Sequence, residues 1–295
     1  MYDRVVEITD SVTMPTQSYR HYPRPYGEPA GLRLTEALEA VGADPFTSAE
    51  AVHEGAALAL SKSHVLKLLN RLASAGWIAR VKRGVYAIND PVTKIPKAHP
   101  FAIGTALVMP SAVSHWSALQ HWELTEQISL AVTLSSPRRT FPPSGKAVGF
   151  EGRRAWGVAG TRYQVVAIKK PRFFGVTNIW VNERNQVPIF ERERALLDAF
   201  QHFHVFGSLS VALEILEAHL EDLNLTRMAQ YACQLQVAAV VKRVGWALDR
   251  LGAPLDVLGP LLEYPVGGDT PLDPSRPARG HHNPTWRVIE NMHAR

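Results

Sequence analysis

The feature that most constrains the fold is a change of period at Gly76. Before it, apolar residues recur at helical spacing. After it, Trp77-Ile78-Ala79-Arg80-Val81, Lys82-Arg83-Gly84 and Val85-Tyr86-Ala87-Ile88 alternate about a basic turn, which predicts a β-hairpin. Upstream, Leu34, Ala37, Leu38 and Val41 mark one helix over residues 32–41, with Gly42 as its stop. Thr47 or Ser48 should cap a second helix, with Glu50 favouring its first turn, and Ser61 should open a third that Gly76 ends. Three helices followed by a hairpin is the element order of a winged helix-turn-helix, placed here at residues 31–90.

Charge is segregated along the same lines. The 295 residues carry a net charge of only +5, so position matters more than size. Residues 55–89 hold no Asp or Glu, yet Lys62, Lys67, Arg71, Arg80, Lys82 and Arg83 all fall there. Residues 127–182 are a second acid-poor stretch, with Glu151 alone among bases that include Arg138, Arg139, Lys169, Lys170 and Arg172. Residues 183–264 reverse the balance, with eleven acids against seven bases. Such segregation is common in nucleic-acid binders.

In the third helix, Ser63, His64, Lys67, Asn70, Arg71 and Ser74 form one polar stripe, and Val65, Leu66, Leu69, Leu72 and Ala73 are expected on the opposite face. Arg and Lys donate to guanine and Asn pairs bidentately with adenine, so such a stripe suits a major groove. Lys62, Ser63 and His64, at the N-terminal end, would sit deepest. Lys82 and Arg83 at the hairpin tip would reach phosphates or a flanking minor groove, with Arg80 beside them. The plainer alternative is an amphipathic helix with a solvated basic face.

Residues 1–30 mix four prolines with Tyr19, Arg20, His21, Tyr22 and Arg24 and read as an extended basic arm, either a groove-tracking segment or a disordered tail. Pro91, Pro96 and Pro100 suggest a linker over residues 91–100. The remainder, 101–295, reads as a second domain. It opens with helices near 101–109 and 111–122 and continues with short strands near 128–134, 163–168 and 179–181. Helices then fill residues 190–262, and a proline-rich tail ends in a last strand at Trp286-Arg287-Val288-Ile289. The expected class is α+β: a winged helix followed by a larger mixed α/β domain with a small sheet and several helices.

The segment Gly76-Trp77-Ile78-Ala79-Arg80-Val81-Lys82-Arg83-Gly84-Val85-Tyr86 resembles the winged helix of the AbiEi-type antitoxins and regulators of type IV toxin–antitoxin systems. The resemblance continues at Ser114-His115-Trp116-Ser117-Ala118-Leu119, Leu124-Thr125-Glu126-Gln127 and Glu193-Arg194-Ala195-Leu196-Leu197-Asp198, and Asn283-Pro284-Thr285-Trp286-Arg287-Val288 looks like the family's closing strand. The arm and the proline-rich tail depart from that pattern. The resemblance implies a repressor of its own operon that binds operator DNA, and an antitoxin whose second domain helps to neutralise a nucleotidyltransferase-like toxin. From the residues themselves, Ser114 to Leu119 is expected to serve packing, and Arg194 and Asp198, four apart on a helix, to pair.

Enzymatic readings find little support in the sequence. A glycine-rich phosphate loop and a Gly-x-Ser-x-Gly elbow are both missing. The pairs His202/His204 and His281/His282 lack further ligands, so neither a metal nor a cofactor is expected. Cys233, the single cysteine, lies in an apolar stretch that suits an inert thiol and fits a reducing cytoplasm. The longest apolar stretch, residues 101–109, is under half of the roughly 20 needed to span a bilayer. Two alternatives stay open: a nucleic-acid-processing enzyme whose catalytic groups converge only in the fold, and an RNA-binding protein that uses residues 138–172.

Overall fold

A computed structural model describes residues 29–140, 147–150, 153–183 and 185–292; the arm, apart from its last two residues, lies outside them. The chain is α+β. Its first part runs α1 (Ala30–Ala40), β1 (Phe46–Thr47), α2 (Ser48–Ala57), α3 (Lys62–Ser74), β2 (Ile78–Lys82) and β3 (Val85–Ile88), with the strands in the order β1-β3-β2. Local chemistry sets the boundaries. Thr47 and Glu50 form a reciprocal capping box at the start of α2, and Gly76 takes the left-handed φ of +72° that ends α3. Strand β1 carries no periodic signal, because two residues are too few to show one.

All four residues of β3 are buried. Tyr86 and Ile88 join Leu34, Leu38, Phe46, Val65 and Leu69 in the small core, whereas Val85 and Ala87, with Val81, belong to the larger core of the second part. The hairpin is therefore a wall shared by two cores. Residues 91–100, expected as a linker, form a compact turn. The Asp90 carboxylate accepts from the Val92 and Thr93 amides, Asn89 bridges to Pro96, and Ala98 is buried.

The second part begins with α4 (Pro100–Leu107), β4 (Ala112–Val113), α5 (His115–His121), β5 (Val132–Ser136), β6 (Ala147–Phe150), β7 (Arg153–Val158), β8 (Thr161–Ala167), β9 (Val176–Trp180) and β10 (Gln186–Phe190). These strands build one seven-stranded sheet in the order β6-β7-β8-β5-β4-β10-β9. The β5–β8 and β4–β10 pairs are parallel and the others antiparallel. The helix expected at 111–122 starts only at His115, because Ala112 and Val113 are held as a strand between β5 and β10. The strand expected at 128–134 is displaced to β5, with Ile128 and Leu130 exposed. Phe190 ends a strand instead of opening a helix.

The helices that follow are α6 (Arg192–Gln201), α7 (Leu209–Ala218), α8 (Leu225–Leu235), α9 (Ala238–Arg250) and α10 (Leu255–Leu262). Helix α6 is central: Glu193 through Phe200 are all buried, and it packs on α5, α7, α8 and α9. The proline-rich tail folds back as a small sheet of β11 (Thr270–Pro271), β12 (His281–Asn283) and β13 (Val288–Glu290). Trp286 lies flat on α9, where a Cβ on Gly245 would come within 2.0 Å of its ring, so glycine alone permits that approach. The Trp286 indole N–H donates to Asp249 at 2.8 Å. Among the described residues, no helix is long and apolar enough to cross a membrane.

A polar joint completes the contact between the two parts. Asp44 Oδ1 accepts from the Ile88 amide at 2.9 Å, and the Asp44 carbonyl accepts from the Asn185 side chain at 2.9 Å. Burial pushes the Asp44 carboxyl up to about 6, with Glu39 adding to the effect and the Ile88 N–H opposing it. The native chain thus holds this proton more tightly than the unfolded one. Asp44 therefore costs stability as pH rises from about 4 through about 6, and costs nothing at lower pH. Asp44→Asn should be more stable than the parent above pH 6, with the advantage shrinking towards pH 4. Urea unfolding across that range checks this, and a pH-independent difference would contradict it.

Candidate nucleic-acid interface

Helix α3 is positioned by one close approach and one cap. A Cβ on Gly55 would lie 2.5 Å from the Val65 side chain, so glycine lets α2 and α3 pack tightly. The Ser61 hydroxyl accepts from the His64 amide at 3.3 Å and starts α3. Val65, Leu68 and Leu69 turn inwards. Periodicity alone puts Leu66 in the core and omits Leu68; the structure leaves Leu66 38% exposed, because it sits a quarter-turn from the buried stripe.

Lys62, Ser63, His64, Lys67, Asn70 and Arg71 are all exposed; the helix phase places the last five on the side away from the core, whereas Lys62, in line with buried Val65 and Leu69, is exposed because it opens the helix. Arg80, also exposed, crosses from the hairpin. Its guanidinium donates to Asn70 Oδ1 at 2.8 Å and lies 5.7 Å from the Tyr86 ring centroid. One lone pair of Asn70 Oδ1 is therefore engaged, and the second lone pair together with the amide NH2 leaves Asn70 able to pair with adenine while Arg80 holds it in place.

The hairpin turn is Arg83-Gly84 alone. Gly84 has φ +76°, and its carbonyl accepts from the Ser48 amide at 2.8 Å, which pins the turn to the start of α2. Arg83 is exposed, but the expectation for Lys82 is corrected. In β2, Arg80 pairs with Tyr86 and Lys82 with Val85, so Val81 is an extra residue. This bulge turns Lys82 onto the face opposite Arg80. Its ammonium donates to the Leu107 carbonyl at 3.0 Å, and burial lowers its pKa.

The second basic group assembles in part. Arg138 and Arg139 follow β5, and Lys169 and Lys170 follow β8. These parallel neighbours pair Ser136 with Ala167, so all four residues leave the same end of the sheet, and all are exposed. Arg172 is half-buried and donates to the Gln236 carbonyl at 3.3 Å.

The sequence does not disclose a buried polar cluster under this sheet. Arg194 and Asp198 pair at 2.6 Å with both side chains inaccessible. Arg194 also lies 4.4 Å over the Phe190 ring. His115, at a left-handed φ of +53°, meets Ser114 Oγ through Nδ1 at 2.9 Å and His202 Nδ1 through Nε2 at 3.0 Å. Ser135 donates to Ser114 at 2.9 Å. Burial pushes the Asp198 carboxyl up, yet Arg194 and the two histidines outweigh it and hold the group below the usual carboxylate range. Burial and His115 push His202 down to about 4, leaving a neutral imidazole. The expectation that His202 has no further ligand-type neighbours is thus corrected: His115 and Asp198 both adjoin it. Asp198-x-x-x-His202 is visible in the sequence as an i,i+4 pair; its third member, 87 residues from His202, is not.

Residues 33–89, from α1 to the end of β3, match the family model described as "Transcriptional regulator, AbiEi antitoxin". No curated protein matches the chain significantly. Among solved structures, the crystal structure of the RV2827C protein from Mycobacterium tuberculosis is similar, with a TM-score of 0.62 and 13% identity over 89% of this chain and 92% of that one. At that identity the likeness concerns the fold alone, and it extends across both parts. Over residues 33–89, from the first helix to the hairpin, the chain is similar to the AbiEi antitoxin transcriptional regulators.

Proposed function

We propose that the protein is a sequence-specific regulator that binds double-stranded operator DNA in the cytoplasm, represses its own operon and serves as the antitoxin of a nucleotidyltransferase-like toxin. The observation that carries this reading is the exposed face of α3. Ser63, His64, Lys67, Asn70 and Arg71 share it and Lys62 adjoins it at the helix start, over a stretch that contains no acid. Such a helix enters a major groove with its N-terminal residues deepest. The family match spans the same elements, which supports the regulator role. Arg83 extends the surface at the turn as a phosphate contact. Arg138, Arg139, Lys169 and Lys170, gathered at one sheet end, suit an acidic partner such as the toxin.

Lys67→Ala with Arg71→Ala should weaken operator binding by about 1–3 kcal/mol for each base edge that the parent side chains touch, with circular dichroism unchanged. Titration of the full chain with DNA from upstream of its operon checks this, and parental affinity would refute α3 as the reading element.

Arg83→Ala should lower affinity for all sequences alike and reduce the salt slope by about one. Lys82→Ala should leave the slope unchanged, because its ammonium is turned to Leu107. Equal reductions of slope in the two variants would place Lys82 back on the DNA.

Neutralising Arg138, Arg139, Lys169 and Lys170 together should leave operator affinity unchanged and abolish capture of the toxin. A strong fall in DNA affinity would assign the patch to phosphate contacts instead.

A further inference from the structure

The cluster at the end of α6 has a donor arrangement that hydrogen bonding within the protein does not use up. Asp198 and His202, four residues apart, project from one side of the helix end, and His115 reaches them from the start of α5. One ligand-type atom from each of the three lies within 4.8 Å of the others. Asp198 Oδ1 is committed to Arg194, but Oδ2 is fully buried and receives no hydrogen bond; it lies 3.4 Å from His115 Nδ1. A buried carboxylate oxygen that receives no hydrogen bond is costly, even with Arg194 on its neighbour. His115 is also held at a positive φ, a backbone conformation that is strained for a side chain of this size and tends to collect at functional positions.

We propose that His115, Asp198 and His202 form a binding site for a divalent transition-metal ion, zinc foremost, which clamps the start of α5 to the end of α6. Two imidazoles and a carboxylate are a donor set for zinc and its neighbours, whereas magnesium and calcium take oxygen donors. In tetrahedral zinc with bonds of about 2.0–2.1 Å, donor atoms sit roughly 3.3 Å apart. The 3.0 Å between His115 and His202 and the 3.4 Å between His115 and Asp198 are close to that edge. Those contacts use different nitrogens of His115, so binding requires one ring to turn. His202 is the more exposed of the two and is the ring that turns. Arg194 is in place to orient Asp198, and the Ser114 hydroxyl, which meets His115 Nδ1 in the empty cluster, gives up that contact when Nδ1 takes the metal. A water supplies the fourth donor from the side of half-buried His202. The site is independent of the DNA-binding reading, since none of its residues lies in the winged helix.

The test is titration of the full chain, stripped with chelator, with Co²⁺ followed by visible absorption and with Zn²⁺ in competition. One ion per chain should bind at about micromolar concentration or below, with the intense bands of tetrahedral cobalt, and Zn²⁺ should raise the Tm. His202→Ala, at a half-exposed position, should weaken binding by at least about tenfold and abolish the Tm rise, and Asp198→Asn should do the same. His204→Ala and the double variant His281→Ala/His282→Ala, at exposed histidines, should change neither. Failure of the parent chain to bind stoichiometrically would overturn the proposal, as would an effect of His202→Ala no greater than that of His204→Ala. Either result would mean that the cluster is a hydrogen-bonded network only.

Discussion

The hairpin of β2 and β3 is the contact on which the rest of the molecule depends. A strand of a small antiparallel sheet normally has one face for the core and one for water, but β3 has no solvated face. Tyr86 and Ile88 complete the core under α1 and α3, while Val85 and Ala87 complete the core of the larger part. Since successive side chains point to opposite faces, a one-residue slip would exchange the two sets and leave neither core filled correctly. The orientation of α3 relative to the seven-stranded sheet follows from this shared wall, and Asp44, Asn185 and the Asp90 turn hold its margins.

How much of this is legible in the sequence depends on distance along the chain. The three helices, the capping box at Thr47 and Glu50 and the stop at Gly76 are readable because the residues that set them lie within a turn of one another. Strand β4 is not. Ser111 to Val113 adjoin an apolar helical pattern, and only pairing with β5 and with β10, far downstream, makes them extended. Lys82 escapes for a related reason: the alternation of β2 shows the strand but not the bulge that turns its last residue over.

The candidate sites divide in the same way. Ser63, His64, Lys67, Asn70 and Arg71 lie on one helix, so their common face follows from spacing alone. Arg138, Arg139, Lys169 and Lys170 come together only because β5 and β8 are parallel neighbours. The pair Arg194–Asp198 can be anticipated, but its burial and its histidine neighbours cannot, since α6 reads as an ordinary amphipathic helix with charged residues. What buries it is its place at the centre of four other helices.

Trp286 on Gly245 has a consequence for how the molecule comes into being. A ribosome delivers the chain N-terminus first, and every element of the winged helix is synthesised before Pro100. The large core is different: its α9 face stays bare until Trp286, far downstream of every strand of the seven-stranded sheet, has left the exit tunnel. The hairpin does not share that wait, because β2 closes against α4 and β7, both made long before Trp286. A nascent chain therefore carries its helix-turn-helix on a wall already backed while the far side of the larger core is still open. The arrival of one indole ring on a bare glycine is the event that covers α9.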